Sequence, residues 1–273
     1  MLVCPGKSCD SRVRDFAMKF VREKKQELAD KSSLESVDLL SRFLSSGLTD
    51  ENFATDIVIS FILAGRDTTS AALTWFFWLL SKNPGVEEKI LKEIKVKSGL
   101  PVLEEVKDMV DTHACLCDTM RLYPPVPVDG KTEEDNDVLP DGTVVKKGTI
   151  VAYHPYAIGR MVMIWGSDWA EFKPERWLQR DEGGKWSFVG RDPYTYPYPV
   201  FQAGPRVCLG NVMAFLQMKR VVSGVLRRFK VVPAVEDGFE PSFIVSLTSK
   251  MKGGFPARIE ERRDLKQLIM RRD

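Results

Sequence analysis

The sequence predicts a mainly α-helical protein with small β-sheets, an α+β fold. Long stretches carry apolar residues at the spacing of three and four that is typical of helices, and one such stretch runs through the first third of the chain. Shorter β-branched runs follow later and are separated by Pro-Asp-Gly and Lys-Lys-Gly, which favour hairpins. With 273 residues and an apolar fraction of 44%, the chain is long enough to bury a sizeable core.

Two helices are predicted in the first part of the chain. Residues 11–30 place apolar side chains in one stripe on a charged background, which is typical of a surface helix. Residues 48–52 supply capping and first-turn acidic groups for a second helix that continues to about Ser81, before Asn83 and Pro84. Because this second helix is apolar nearly all round, we expect neighbouring elements to bury it on several sides.

Three more helices are predicted. One begins at residue 85, one must stop near Tyr123 because two prolines follow it, and one follows Asn211. Residues 138–153 predict a hairpin between the last two of these helices. A final hairpin is predicted over 243–259, with its turn near Gly253 and Gly254, followed by a charged tail from residue 260 that is a solvated helix or frayed.

The composition excludes several classes of function. Forty basic and thirty-eight acidic side chains give a net charge of +2, which is too balanced for a protein whose main partner is nucleic acid. The five cysteines are scattered without the paired spacing of a zinc site or the density of a disulfide scaffold, so we expect a reducing compartment. The first residues predict neither a secretory signal nor an apolar anchor, and the apolar run 57–80 is interrupted by charges at its centre.

The segment FQAGPRVCLGN holds the most informative pattern in the chain. Cys208 stands just before a predicted helix, where the helix dipole and free backbone N–H groups favour a thiolate. Gly204 allows a tight turn, Gly210 allows the backbone to approach a flat group, and Arg206 can meet an anion. Phe201 can shield the sulfur from water. A buried free cysteine beside a tight turn is the plainer alternative.

These five positions resemble the haem-binding loop of the cytochrome P-450 superfamily, with phenylalanine, two glycines, arginine and cysteine at every specified place. The resemblance implies that Cys208 is the axial ligand of the iron of haem b and that Arg206 pairs with a haem propionate. It also implies a cytochrome P-450 fold over residues 16–259, in one partial domain covering 1–273.

The long central helix contains AGRDTTS, which resembles the oxygen-binding stretch of the same superfamily. By this resemblance Gly65 gives room for dioxygen, and Asp67 and Thr68 relay protons to it. The alternative is a pair of threonines that bond back to helix carbonyl groups beside a surface aspartate.

A second superfamily motif joins a glutamate to an arginine three residues later and to another arginine further on. Here Asp118 stands in the glutamate position before Arg121, and Arg176 of the PERW segment is the later arginine. Because aspartate is one methylene shorter, we expect a strained or water-bridged network. An exposed aspartate and arginine of little energetic value are the alternative.

The amino-acid sequences of several segments, among them RLYPPVPVD and LTSKMKGGFPARI, resemble those of the plant branch of the superfamily that hydroxylates fatty acids at or near the methyl end. That branch uses O2 and electrons from an NADPH-dependent reductase, and it lies on the cytosolic face of the endoplasmic reticulum membrane. Four residues are the predicted substrate contacts by position, with ordinary core packing as the alternative for each: Ile62, Val126, Val128 and Leu247.

The resemblance covers only the C-terminal half of such an enzyme, so we expect this chain not to retain haem tightly without the missing part. We expect Lys219, Arg220, Arg227 and Arg228 to give either a basic docking face for the reductase or a mixed solvated surface. Two other functions stay open: a non-catalytic remnant of the superfamily, and a non-haem enzyme in which Cys208 is a nucleophile with His113 or His154 as its base.

Overall fold

The computed structural model of the chain describes residues 7–30, 38–47, 50–97, 102–184, 186–189, 198–236 and 238–262. They fall into two compact units, Met1–Asp67 and Thr68–Asp273. The long central helix α3 (Glu51–Lys82) contributes residues to both units. Helices and short strands together give the predicted α+β class.

The first unit contains α1 (Lys7–Asp30), α2 (Leu39–Ser45) and the first part of α3. The helices pack through a small apolar core that includes Ala17, Val21 and Ala54, all without exposed surface. The α1 helix was predicted from its apolar stripe, whereas α2 was not predicted. A side-chain cap starts α2, because the carboxylate of Asp38 accepts a hydrogen bond from the backbone N–H of Ser41 at 2.8 Å.

The second unit is built around a core of helices. After α3 come five helices and the long helix that follows the cysteine segment: α4 (Pro84–Lys97), α5 (Val102–Lys107), α6 (Val110–Leu122), α7 (Pro155–Ile158), α8 (Val162–Trp165) and α9 (Asn211–Arg228). Apolar residues of α3, α4, α6 and α9 form one buried cluster, in which Phe76, Ile90, Leu116 and Val222 have no exposed surface. The predicted end of α6 is confirmed, since the helix stops at Leu122 before Tyr123.

The described strands form five antiparallel pairs. The pairs are β1 (Asp129–Thr132) with β4 (Ile150–Tyr153), β2 (Asp137–Val138) with β3 (Val144–Val145), β5 (Leu178–Arg180) with β6 (Trp186–Phe188), β7 (Phe229–Pro233) with β10 (Ala257–Glu261), and β8 (Phe243–Ile244) with β9 (Lys250–Met251).

Both hairpin predictions need correction. The 138–153 segment is not one hairpin, because β4 pairs with β1 instead of β3. The last hairpin, β8 and β9, turns within residues 245–249, and the tail strand β10 pairs with β7. Gly253 and Gly254 have φ of +75° and +79° and lie in the connection between β9 and β10, so positive φ marks a loop there and not the hairpin turn. The tail beyond Arg262 lies outside the described residues.

Within the described ranges, every helix is too short or too polar to cross a lipid bilayer.

Candidate functional site

The Cys208 turn lies between two short 3-10 turns and the start of α9. The 3-10 turns cover Pro199–Phe201 and Gly204–Arg206. The backbone N–H of Cys208 donates to the carbonyl oxygen of Phe201 at 2.8 Å, and the N–H of Asn211 donates to the carbonyl oxygen of Cys208 at 3.3 Å. These two bonds fix the backbone on both sides of the cysteine, and its free thiol is exposed.

The two glycines of the turn meet different requirements. Gly204 has φ of +64°, a conformation that other residues rarely adopt, so the turn needs glycine there. Gly210 has φ of −86°, and an added Cβ would lie at an ordinary contact distance of 3.8 Å from the sulfur of Cys208. The local fold therefore tolerates a side chain at Gly210, and any need for glycine there must come from a group that binds over the turn.

The surface around the thiol combines one positive charge with apolar side chains. Arg206 is exposed two residues before the cysteine. Val207 is 46% exposed and Leu209 is 84% exposed, and Val212 and Met213 at the start of α9 are also exposed. Exposed apolar side chains that cluster in this way commonly mark a place where another group binds.

Phe201 is half-buried and packs against the core of the second unit. Its ring packs against Phe215 of α9 with the ring centroids 5.3 Å apart, and Phe215 stacks on His113 of α6 at 4.0 Å. Loss of hydration in this aromatic layer, with a smaller contribution from the charge of Lys219, lowers the pKa of His113 to about 3. His113 is thus neutral near pH 7 and a weak base, which disfavours the hypothesis of a non-haem enzyme that uses His113 as the base for Cys208. His154, the other candidate base, is exposed.

Asp118 and Arg121 form a direct buried ion pair on α6. Arg121 donates from Nε to Asp118 Oδ1 at 2.6 Å and from Nη2 to Oδ2 at 3.2 Å, and neither side chain has exposed surface. The carboxylate also accepts from the backbone N–H of Lys173 at 2.7 Å and from the indole of Trp177 at 3.2 Å. The shorter acid therefore reaches Arg121 directly, which corrects the water-bridged alternative of the sequence analysis and leaves the strained alternative a prediction.

Arg176 does not complete that network as expected. It donates instead to the carbonyl oxygens of Trp165 and Asp168 and pairs with the carboxylate of Asp168 at 2.9 Å. Arg121 holds the neighbouring backbone, since it donates to the carbonyl oxygen of Trp169 at 2.7 Å. The two arginines stabilise adjoining parts of one loop and do not share Asp118.

The residues of the AGRDTTS stretch lie on α3. Gly65 and Asp67 belong to the first unit, and Thr68 begins the second. A Cβ added to Gly65 would meet no atom within 4 Å, so the space beside this helix turn is open. Asp67 and Thr68 are half-buried.

The four candidate substrate residues separate into two places. Ile62 lies in the first unit, on a groove with a cavity of about 310 Å³ whose lining is almost wholly apolar and includes Phe16, Phe20, Leu39, Phe43 and Phe61. Val126, Val128 and Leu247 lie in the second unit, where the backbone N–H of Ser249 donates to the carbonyl oxygen of Pro125 at 2.8 Å. This bond brings the segments of Val126 and Leu247 together; Val126 is half-buried, and the other two are exposed.

The basic residues of α9 do not form one free docking face. Lys219 is only 5% exposed, and its ammonium group donates to the carbonyl oxygen of Lys107 at 3.2 Å. Arg227 pairs with the buried carboxylate of Glu105, which Arg220 approaches to 3.8 Å. Lys219 is therefore unsuited to reductase docking, because it supports the contact between α5 and α9.

Sequence reasoning missed a group of polar residues beside the Cys208 turn. The amide of Gln202 donates to Asp129 Oδ2, and the hydroxyl of Tyr153 donates to the same oxygen at 3.0 Å. Burial is the larger cause and this hydrogen bond a smaller cause of a raised pKa of Tyr153, which is about 12, so the phenol keeps its proton and donates. No signal in the sequence connects these residues, because they come from three separate segments.

The model of the cytochrome P450 family matches residues 6–254. The chain is 66% identical to cytochrome P450 94A1 of Vicia sativa over 94% of its own length and 50% of that protein, and 50% identical to cytochrome P450 94B1 of Arabidopsis thaliana over 89% and 47%. A solved cytochrome P450 structure superposes with a TM-score of 0.75 at 21% identity, covering 92% of this chain and 56% of that one. The chain spans about half the length of the curated relatives it matches, and it belongs to the cytochrome P450 family.

Proposed function

We propose that this chain carries the thiolate side of a haem monooxygenase, with Cys208 as the axial ligand of the iron. The observation that carries the proposal is the exposed thiol of Cys208, held by two backbone hydrogen bonds inside a turn with the family pattern. A soft thiolate ligand, an apolar rim and one exposed arginine fit an apolar macrocycle that contains iron and bears carboxylates. Haem bound there would supply the activation of O2.

The protein residues would hold and orient this group. Cys208 would donate its thiolate, Arg206 would pair with a propionate, and Phe201 would anchor the turn through its packing in the aromatic layer. On α3, Asp67 and Thr68 would hold and pass protons, and the open space at Gly65 would leave room for a small molecule.

The finer proposal is hydroxylation of fatty acids at or near the methyl end, with electrons from NADPH through a reductase at the endoplasmic reticulum membrane. Its support is the similarity of several sequence segments to the plant branch, together with high sequence identity to proteins from two plants. We also propose that residues 1–273 form part of one cytochrome P450 domain. The apolar side chains of Val126 and Leu247, on adjoining segments, are suited to an acyl chain.

The experiment that tests the thiolate is the absorption spectrum of the expressed chain after addition of haem, reduction and exposure to carbon monoxide. A strongly red-shifted Soret band that Cys208→Ser abolishes supports the proposal. Cys115→Ala is the matched control, because it removes a buried thiol from α6 and should keep the band. A chain that binds haem with the same unshifted spectrum before and after Cys208→Ser contradicts the ligand assignment.

The substrate proposal is tested by incubating the haem-loaded chain with a saturated fatty acid, an NADPH-dependent reductase and O2. The expected product carries one added oxygen at or near the methyl end. The alkane of equal length, which lacks the carboxylate, is the control for recognition of the acid. Thiolate ligation with no oxidised product would instead favour the non-catalytic remnant.

A further inference from the structure

Gln202 has an unfavourable backbone conformation next to the Cys208 turn. Among the described residues it alone has positive φ without being glycine, with φ of +60°. Such a conformation crowds the Cβ against the backbone and persists where the surroundings hold it in place, often near functional sites. A glycine at this position would avoid the strain, so the side chain of Gln202 must offer something in return.

The side chain of Gln202 is held by the carboxylate of Asp129, which also bonds to two groups of the β1–β4 strand pair. Asp129 Oδ2 accepts from the amide of Gln202 and from the hydroxyl of Tyr153, and Oδ1 accepts from the backbone N–H of Gly130 at 2.7 Å. Asp129 and Tyr153 face each other across β1 and β4. All three side chains that meet at Oδ2 are half-buried, which limits competition from water.

The conformation of Gln202 bears directly on Cys208. The backbone N–H of Gln202 donates to the carbonyl oxygen of Pro199 at 3.1 Å. The residue before it, Phe201, presents the carbonyl oxygen that accepts the N–H of Cys208 at 2.8 Å. Because rotation of the peptide between Phe201 and Gln202 would turn that carbonyl away, the strained φ and the bond to Cys208 depend on each other.

We infer that Asp129 is a positioning residue that fixes the Cys208 turn through Gln202, with Tyr153 as its support. The β1–β4 strand pair is thereby joined to the turn by hydrogen bonds to one carboxylate. The inference rests on the proposed function, in which Cys208 is the ligand of the iron. The hydrogen bonds that join Asp129 to the turn can nevertheless be tested in haem-free protein.

Hydrogen exchange of the Cys208 amide in the full haem-free chain is the first test. Since hydrogen bonds to a carboxylate are worth about 1.5 to 3 kcal/mol, Asp129→Ala and Gln202→Ala should each speed this exchange roughly tenfold or more. The double variant should exchange no faster than the quicker single one, because both changes break one connection. Asp129→Asn keeps one acceptor oxygen for the amide of Gln202 but has an NH2 group in place of the other oxygen, so it should restore the protection only in part.

Two further variants separate positioning from general loss of structure. Asp137→Ala is the matched control, because Asp137 begins β2 and accepts from the N–H of the next residue at 2.7 Å, as Asp129 does. It should leave the Cys208 amide unchanged. Gln202→Gly tolerates the positive φ while removing the side chain, so it should fold and still lose protection at Cys208. Unchanged exchange in Gln202→Gly and Asp129→Ala overturns the inference.

The carbon monoxide spectrum of the haem-loaded chain is the second test. Asp129→Ala should lower the fraction of haem in the red-shifted band, and Asp129→Asn should recover part of it, whereas Asp137→Ala should have no effect. A parent chain without a red-shifted band would defeat the proposed function, while the exchange data would still decide the positioning role. A full red-shifted band together with unchanged exchange in Asp129→Ala would refute the positioning role and leave the ligand assignment standing.

Discussion

Removal of the Asp118 carboxylate should be among the most damaging single changes in α6. Its two oxygens accept four hydrogen bonds, two from Arg121 and one each from the N–H of Lys173 and the indole of Trp177. Asp118→Ala leaves the guanidinium of Arg121, which has no exposed surface, without its counter-ion. The amide and the indole would lose an acceptor in the same place.

The expected loss of stability is about 3 kcal/mol, at the lower end of the roughly 3 to 5 kcal/mol for breaking a buried ion pair. The lower end applies because Arg121 keeps three backbone acceptors, the carbonyl oxygens of Gly159, Trp169 and Glu171, at 2.7 to 2.9 Å. A loss of this size lowers the ratio of folded to unfolded protein by about a hundredfold.

Urea unfolding followed by tryptophan fluorescence measures the loss, with far-ultraviolet circular dichroism as a second probe of the same transition. Asp118→Asn keeps the shape but turns an amide donor toward existing donors, so it should cost nearly as much. Glu88→Ala is the control, because Glu88 and Lys92 form a pair that is mostly exposed and worth less than about 1 kcal/mol. A cost below about 1 kcal/mol for both Asp118 variants would refute the importance of the charge.

Two other changes test the packing around this pair and around the cysteine turn. Gly159→Ala would place a Cβ 2.2 Å from the carbonyl oxygen of Arg121 and should lower the free energy of unfolding in urea by about 1 to 3 kcal/mol. The control is Gly224→Ala inside α9, where the added Cβ would meet no atom within 4 Å, and it should raise this free energy by about 0.5 to 1 kcal/mol. Equal effects of the two variants would contradict the close approach at Gly159. His113, whose pKa falls from 6.5 to about 3 on folding, resists protonation in the folded state, so stability should decrease as the pH falls below 6.5. Between pH 6.5 and 5 this loss is at most about 2 kcal/mol, and His113→Phe should remove it from the measured pH dependence.

The parts of the fold that were predictable from sequence depend on local signals. The end of α6 follows from the two prolines after Tyr123, and α9 follows from one amphipathic stripe. The pairing of Asp118 with Arg121 was predictable because a spacing of three places both on one helix face. The cysteine turn was identified by a fixed pattern of five residues, four of which lie within seven positions of one another.

The wrong strand pairings and side-chain partners concern contacts between distant segments. The strand β10 pairs with β7 across the whole connection that contains β8 and β9, and the two glycines of its loop resemble a hairpin turn in sequence. Arg176 bonds to backbone carbonyl groups, which have no sequence signature. The same holds for Asp129 and Gln202, since a side-chain bond over 73 positions depends on tertiary packing alone.

The cysteine turn and the buried ion pair are supported by one layer of rings. The layer is formed by Phe201, Phe215, His113, Phe188 and Trp177. At its far end the indole of Trp177 donates to Asp118 at 3.2 Å. A protonated imidazole in the middle of the layer would be a desolvated cation beside the charge of Lys219, and the low pKa of His113 avoids it. The layer therefore separates the Cys208 turn from an ion pair that is already neutralised, and it adds no charge to either.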